Sequence, residues 1–157
     1  MFEAQVKQTD PITVAYVTMH GAYAQTPEGY GRLYGWIAMH GLQPTGMPSA
    51  VYLTMPSEVS EAEAVWELWA PVAGEVPAAE PDESGIGIKR VESCTVASTM
   101  HKGPYESVEP AYNALFAWIA GNGYRPSGPP SETYYSDPAT TLPEEYLTEI
   151  QVPVERV

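Results

Sequence analysis

Apolar and polar positions follow two different periods along this chain, and each period predicts one kind of element. Around residues 13–16 the alternation has a period of two, which is typical of a half-buried strand. This strand region runs from about residue 5 to residue 18 and is interrupted near Asp10-Pro11, since proline cannot donate to a ladder. The next apolar residues recur at helical spacing and predict one apolar helix face: Tyr30, Leu33, Tyr34, Ile37 and Ala38.

Capping signals mark both ends of this helix. Thr26 is a candidate N-cap, and Pro27 suits the first helical position. Gly41 is placed for a left-handed C-cap, and Pro44 prevents the helix from continuing. Two strands are then predicted, at about residues 51–54 and 65–72.

The same order of elements occurs a second time, without a gap, at an offset of 82 positions. Thr13-Val14-Ala15 falls on Thr95-Val96-Ala97, and Trp36-Ile37-Ala38 falls on Trp118-Ile119-Ala120. The second copy therefore predicts strands at about residues 87–100, 133–136 and 147–154. Its helix carries a matching apolar face: Tyr112, Leu115, Phe116, Ile119 and Ala120. Gene duplication is the simplest account of this self-similarity.

The two copies together predict an α+β fold. A duplicated strand-helix-strand-strand unit gives a curved antiparallel sheet with both helices on one face, related by a pseudo-two-fold axis. The opposite, concave face is left open as a ligand cleft. We expect one domain over residues 1–157, made of repeats at about 1–72 and 85–157. Residues 73–84, rich in Ala, Pro and Glu, are predicted to be a linker.

Each copy places one carboxylate on a strand that is otherwise apolar. If the aliphatic residues of the last strand pack on the helices, Glu149 and its repeat equivalent Glu67 both face the concave side. A carboxylate in an aromatic-lined hollow is costly to keep charged, so either its pKa rises or a cation compensates it. Such a site suits a lipophilic cation, and it equally suits a general acid or base.

Further residues are selected by strand face or by repetition as parts of this ligand site: Trp36, Trp69, Trp118, Tyr105, Tyr134 and Gln151. The two tryptophans on the helices either reach the cleft or seal the contact between helix and sheet. If the site is catalytic, Tyr105 is the candidate to assist Glu149 and Glu67.

Composition narrows the range of partners. The net charge is −13, from 20 acidic and 7 basic residues among 157, whereas binding to nucleic-acid phosphates requires the opposite sign. We therefore expect no direct nucleic-acid binding. The chain shows no signal peptide and no apolar run long enough to span a bilayer, and its single cysteine, Cys94, fits a reducing cytoplasm. We expect a cytoplasmic protein with no membrane contact.

Metal and cofactor sites are not predicted. The histidines at positions 20, 40 and 101 are not repeated between the copies and have no metal-ligand spacing. Gly85-Ile86-Gly87 opens no helix and therefore does not suit a nucleotide loop.

Several motifs in the second copy resemble the GyrI-like small-molecule-binding domain, also known as the AraC-type effector-binding domain. They are His101-Lys102-Gly103-Pro104-Tyr105, Leu115-Phe116-Ala117-Trp118, Tyr134-Tyr135-Ser136-Asp137-Pro138 and Thr148-Glu149-Ile150-Gln151-Val152-Pro153-Val154. The resemblance implies two pseudo-symmetric halves with a ligand cleft. It also implies that Glu149 matches the glutamate that meets cationic, aromatic drugs in relatives. Other relatives carry DNA-binding domains, inhibit DNA gyrase or hydrolyse cyclopropane-bearing toxins.

The leading hypothesis is a stand-alone binding protein for lipophilic, aromatic and cationic small molecules, with Glu149 as charge partner and Glu67 as its counterpart. The first alternative is a hydrolase that opens cyclopropanoid electrophilic toxins with a cleft glutamate. The second alternative is a protein-interaction module such as a gyrase inhibitor, which rests on family analogy.

Overall fold

The computed structural model describes residues 3–55, 58–137 and 139–157. It divides into two compact units: unit 1 is Met1–Thr9 with Cys94–Val157, and unit 2 is Asp10–Ser93. The strands and helices in chain order are β1 (Gln5–Gln8), β2 (Ile12–His20), α1 (Thr26–Met39), β3 (Ser49–Tyr52), β4 (Val65–Pro71), β5 (Ile86–Val91), β6 (Thr95–Lys102), α2 (Glu109–Gly121), β7 (Tyr124–Pro126), β8 (Ser131–Tyr134) and β9 (Leu147–Arg156).

Each unit contains an antiparallel sheet and one of these helices, which confirms the α+β fold class. In unit 1 the strands run in the order β1-β6-β9-β8, and β7 pairs with the end of β9. In unit 2 the order is β5-β2-β4-β3. The registers follow the sequence offset: Val51 pairs with Glu67 as Thr133 pairs with Glu149.

The first strand of each copy pairs within the unit formed by the other copy. β1 belongs to the first copy by sequence but pairs with β6, and β5 belongs to the second copy but pairs with β2. The interruption predicted at Asp10-Pro11 therefore separates two strands that pair in different units, and the units divide there. The alternation of apolar and polar residues does not reveal this exchange. Strands β2 and β6 have the same alternation, so β1 and β5 could pair with either of them.

The core of unit 1 confirms the predicted faces of the last strand. Ile150, Val152 and Val154 belong to one buried cluster with Leu115 and Ile119 of α2. In unit 2, Leu33 and Ile37 of α1 are fully buried, as are Leu68 and Ala70 of β4. Burial of these aliphatic residues leaves the alternate residues of each strand on the opposite side of its sheet, called here the open face.

Helix α1 packs closely on its sheet at Gly29. A Cβ atom at this position would lie 2.6 Å from Leu68 Cδ1 and 2.9 Å from Met19 Cε. The helix ends as predicted, since Gly41 has a φ of 67° and the equivalent Gly123 has a φ of 79°.

Several predicted boundaries were wrong. Gln25, without a side-chain cap, is the N-cap of α1, so Thr26 is the first helical residue. The apolar helix faces are narrower than expected, because Ala38 and Ala120 are exposed. Strands β3 and β8 each begin two residues before the predicted positions 51 and 133.

The segment expected to be a linker is held to β5 in unit 2. Ala79 and Ile88 exchange two backbone hydrogen bonds, of 3.0 and 2.9 Å. The segment passes so close to Gly87 that a Cβ atom there would lie 2.7 Å from the Ala79 carbonyl oxygen. Within the residues described, neither helix has the length and apolar character required to cross a membrane.

Candidate functional site

The open face of unit 1 contains a buried, ionised carboxylate. Glu149 on β9 is 4% exposed. Its carboxylate accepts hydrogen bonds from Lys7 Nζ at 2.5 Å, Ser98 Oγ at 2.6 Å and the Tyr135 hydroxyl at 2.8 Å. The lysine is the compensating cation that a buried carboxylate requires.

Neighbouring strands place these donors by register. β1 pairs with β6 so that Lys7 is opposite Val96, and β6 presents Ser98 opposite Gln151 of β9. Because directly paired residues of antiparallel strands point to the same side, these side chains share the face of Glu149. Tyr135 follows the end of β8 and reaches the carboxylate from the other flank.

Hydrogen bonding keeps Glu149 ionised. Burial alone would raise the pKa of this carboxyl, but hydrogen bonds from Lys7, Ser98, Tyr135 and Gln151 lower its pKa from 4.5 to about 2. Burial and the neighbouring Glu149 charge raise the pKa of Tyr135 to about 12, so this phenol remains a hydrogen-bond donor at neutral pH. The group suits electrostatic binding and does not suit proton donation.

Exposed apolar side chains surround this carboxylate. Met100 is paired directly with Glu149 and is 51% exposed, and Leu147, two residues earlier on β9, is 40% exposed. Tyr135 is 46% exposed. A buried charge with an exposed apolar border is the combination that a lipophilic ion requires.

The open face of unit 2 contains a second carboxylate–lysine pair. Glu67 Oε1 accepts hydrogen bonds from Lys89 Nζ at 2.5 Å and from Trp69 Nε1 at 2.8 Å. The same ammonium lies 4.4 Å from the Tyr16 ring centroid and 5.0 Å from that of Trp69. Lys89 is thus held by charge and by two ring faces.

A third carboxyl, Glu132, lies on the helix-covered face of unit 1. It is 6% exposed, pairs with Ile150, and accepts hydrogen bonds from Tyr112 at 2.6 Å and Tyr134 at 3.1 Å. Burial raises its pKa, although both phenols and the His101 charge act to lower it. The phenols connect α2 to β8 through this carboxyl.

The structure distributes the predicted site residues over several places. Gln151 is beside Glu149, and Trp69 is beside Glu67, as their strand faces predict. Glu149 and Glu67 belong to different units, and their sharing of one cleft stays a prediction.

The other four aromatic candidates have contacts of their own. Tyr134 points to the helix-covered face. The ring centroid of Tyr105 lies 5.4 Å from that of Tyr134 and 4.8 Å from that of Tyr146, on which it stacks. Trp118 packs against the core of unit 1. Trp36 donates to Asp82 at 2.8 Å and stacks on His40.

Sequence reasoning did not select the two lysines, Tyr16, Ser98, Tyr135 or Glu132. A signal for the lysines is present, because Lys7 and Lys89 are themselves separated by the repeat offset of 82. Within the residues that the structure describes, no group of three or more His, Cys, Asp or Glu side chains is placed to hold a metal ion.

The family of this chain follows from a direct match. The profile of the GyrI-like small molecule binding domain matches residues 5–155. The chain therefore belongs to the GyrI-like small molecule binding domain family, which confirms the resemblance seen in its motifs. Small-molecule binding is the function that this family membership gives it. No match was found among curated proteins.

Solved structures share the fold over nearly the whole chain. The EcmrR C-terminal domain is 26% identical, with a TM-score of 0.81, and 100% of this chain and 99% of that chain are covered. EcmrR in its DNA complex is 24% identical, with a TM-score of 0.85 over 99% of this chain, which spans 58% of that chain. SAV2435 bound to tetraphenylphosphonium is 17% identical, with a TM-score of 0.59, and 98% of this chain and 94% of that chain are covered.

Proposed function

We propose that this protein binds lipophilic, aromatic cations on the open face of unit 1, with ionised Glu149 as their charge partner. The observation that carries the proposal is the buried carboxylate of Glu149, whose pKa is lowered to about 2 by its hydrogen bonds. It stays negative throughout the physiological pH range. Cation binding there requires no proton transfer.

The surroundings of Glu149 favour a lipophilic ligand over a hydrated metal ion. Met100, Leu147 and Tyr135 present exposed apolar surface on the same side of the sheet. Burial of that surface by a ligand contributes about 25 cal/mol for each square ångström removed from water. The ring of Tyr135 also offers a face for aromatic stacking.

Lys7 determines what the ligand displaces. Its ammonium fills the position next to Glu149, and 36% of its side chain is exposed. The ligand cation takes this position while the lysine moves into water, where its charge is fully solvated. Electroneutrality at the buried carboxylate is preserved in both states.

The structural relative SAV2435 supports this ligand class, since its structure holds tetraphenylphosphonium, a lipophilic aromatic cation. The net charge of −13 adds a favourable field for cations of any kind. Neither observation selects Glu149, so the choice of site rests on the geometry of unit 1.

The hydrolase alternative requires Glu149 or Glu67 to donate a proton or to activate water, and the state of Glu149 supports neither role. Glu149 has a pKa of about 2, so at neutral pH it holds no proton to donate and is only a weak base. Tyr105, the predicted assistant, contacts the Tyr134 and Tyr146 rings instead of this carboxylate. Among the contacts of the described residues, none favours the protein-interaction alternative.

A fluorescence titration with the cationic dye rhodamine 6G tests the proposal. The Glu149→Gln variant keeps the shape of the side chain and removes its charge, so we expect dissociation constants at least about tenfold higher than for the wild type. The matched control is Glu155→Gln on the same strand, which removes an exposed carboxylate paired with Arg125. This control should change affinity less than about twofold.

An equal loss of dye affinity in the two variants would mean that the overall charge alone attracts the dye. Unchanged affinity in the folded Glu149→Gln variant would remove this residue from the ligand site. Circular dichroism and thermal melting establish that each variant is folded.

A further inference from the structure

The ammonium of Lys89 makes the contacts by which proteins recognise free alkylammonium ions. One carboxylate oxygen, of Glu67, lies 2.5 Å from the nitrogen. Two ring faces, of Tyr16 and Trp69, have their centroids 4.4 and 5.0 Å away. A carboxylate combined with ring faces selects ammonium groups through charge and quadrupole attraction.

The neighbouring residues hold this arrangement in place before any ligand binds. Trp69 donates its indole N–H to Glu67 at 2.8 Å, which fixes both the ring and the carboxylate. Tyr16 is paired directly with Trp69 across β2 and β4, so their rings share one side of the sheet. Burial raises the pKa of the Tyr16 phenol, and the charges of Glu80 and Glu67 raise it further. The negative field in this place therefore comes from two carboxylates.

Lys89 is the part of the arrangement that can leave. Its side chain is 33% exposed, compared with 15% for Glu67. It reaches the site from β5, whose partner β2 presents Tyr16 opposite Gly87. Gly87 has no side chain, and the backbone of Ala79 and Pro81 lies in the space that a Cβ atom would take there.

We propose that Glu67, Tyr16 and Trp69 form a receptor site for primary alkylammonium groups in unit 2, which Lys89 occupies as a built-in competing ligand. An external amine binds there only when the lysine is displaced or removed. The native protein is therefore closed to small amines at this place.

This inference goes beyond the proposed function, because it concerns another carboxylate, another unit and a small aliphatic ligand. It does not require Glu149 to bind anything. Failure of one proposal therefore leaves the other standing.

Chemical rescue tests the site. The Lys89→Ala variant removes a fragment equivalent to n-propylammonium, so this amine should bind where the side chain was. We expect n-propylammonium chloride to raise the melting temperature of Lys89→Ala, and to bind it at least about tenfold more tightly than it binds the wild type. Sodium chloride at equal ionic strength should not reproduce the shift.

Two controls locate the effect. The double variant Lys89→Ala/Glu67→Gln should lose the response to amine, because the carboxylate no longer carries a charge. Lys7→Ala in unit 1 should respond more weakly, since within the residues described no ring face lies against the Lys7 ammonium. The response of Lys89→Ala should persist when Glu149→Gln is added.

The result that overturns the proposal is a melting temperature of Lys89→Ala that n-propylammonium shifts no more than sodium chloride does. An equal shift in the wild type would overturn it as well. If Lys89→Ala does not fold in plain buffer, refolding with and without n-propylammonium tests the site instead. Recovery of folded protein by the amine supports the site, and no recovery contradicts it.

Discussion

The carboxylate–lysine pairs of the two units share one backbone arrangement and differ in how the ammonium is held. In unit 1 the carboxylate of Glu149 collects hydrogen bonds from Lys7, Ser98 and Tyr135. In unit 2 the ammonium of Lys89 lies against two aromatic rings. The first arrangement stabilises the anion, and the second stabilises the cation.

Two positions of the repeat contribute to the difference, and a third is Tyr135, which stands where unit 2 has Leu53. Ser98 in unit 1 stands where unit 2 has Tyr16, and Gln151 stands where unit 2 has Trp69, both at the offset of 82. The registers that carry these positions are the same, since Ser98 pairs with Gln151 as Tyr16 pairs with Trp69. The chemistry of the face therefore differs between the units through side chains carried on the same register.

We expect the cores of the two units to contribute equally to stability. Substitutions in these cores should give the largest effects that we predict. Leu33 on α1 and Leu115 on α2 occupy equivalent positions and are both 0% exposed. Each Leu→Ala variant should lose about 3 kcal/mol of unfolding free energy, because it leaves a cavity under its helix. Urea unfolding followed by circular dichroism measures the loss. A difference above about 2 kcal/mol between the variants would show that the cores are not equivalent.

The pH dependence of stability should identify the unit 1 carboxylate. The folded pKa of Glu149, about 2, lies below its ordinary value of 4.5. Its contribution to stability is therefore fully present above about pH 5 and is lost as the pH falls toward 2. This shift corresponds to about 3 kcal/mol.

The measurement is the unfolding free energy of the wild type and of Glu149→Gln between pH 7 and pH 2.5. The difference between the two proteins should shrink as the pH falls, because glutamine does not titrate. A difference that stays constant over this range would contradict the lowered pKa.

A smaller effect should separate the two ways of holding the ammonium. In a double-mutant cycle, Lys89→Met with Trp69→Leu should show a coupling energy of about 1 kcal/mol, since a cation–π contact and a shared carboxylate are lost together. The equivalent cycle in unit 1, Lys7→Met with Gln151→Leu, should give about half of that or less, because glutamine offers no ring. Equal coupling energies in both units would show that the aromatic rings do not contribute to holding the ammonium.

The smallest effect concerns an ion pair that unit 2 does not repeat. Arg125 and Glu155 are 2.9 Å apart in unit 1, with side chains 63% and 51% exposed. Gln43 and Ala73 occupy the equivalent positions in unit 2. Arg125→Gln should change the unfolding free energy by about 0.5 kcal/mol or less, because exposed pairs are screened by water. A loss above about 1 kcal/mol in urea unfolding would be inconsistent with this view.

Elements with a strong local period could be predicted from the sequence. The alternation along β9 places Ile150 on the core side and Glu149 on the other side, and the structure agrees. The ends of both helices follow from Gly41 and Gly123. In each case the signal is contained within a few consecutive residues.

Features that depend on register or on partner choice could not be predicted. Tyr134 and Tyr135 are adjacent, and the start of β8 decides which of them faces Glu149, because one residue of shift reverses the faces. The pairing of β1 with β6 brings Lys7 to Glu149 across 142 positions of sequence. Glu132 has no repeat signal, since its equivalent in the first copy is Ala50.

The most direct test of the central claim is the dissociation constant for tetraphenylphosphonium in the wild type, Glu149→Gln and Lys7→Met, measured by calorimetry at pH 7. We predict that the first variant binds at least about tenfold more weakly, while the second binds more tightly because the competing ammonium is gone. Opposite directions would support a ligand cation that replaces Lys7 beside Glu149. Two folded variants that both bind as the wild type does, or that both bind more weakly, would contradict it.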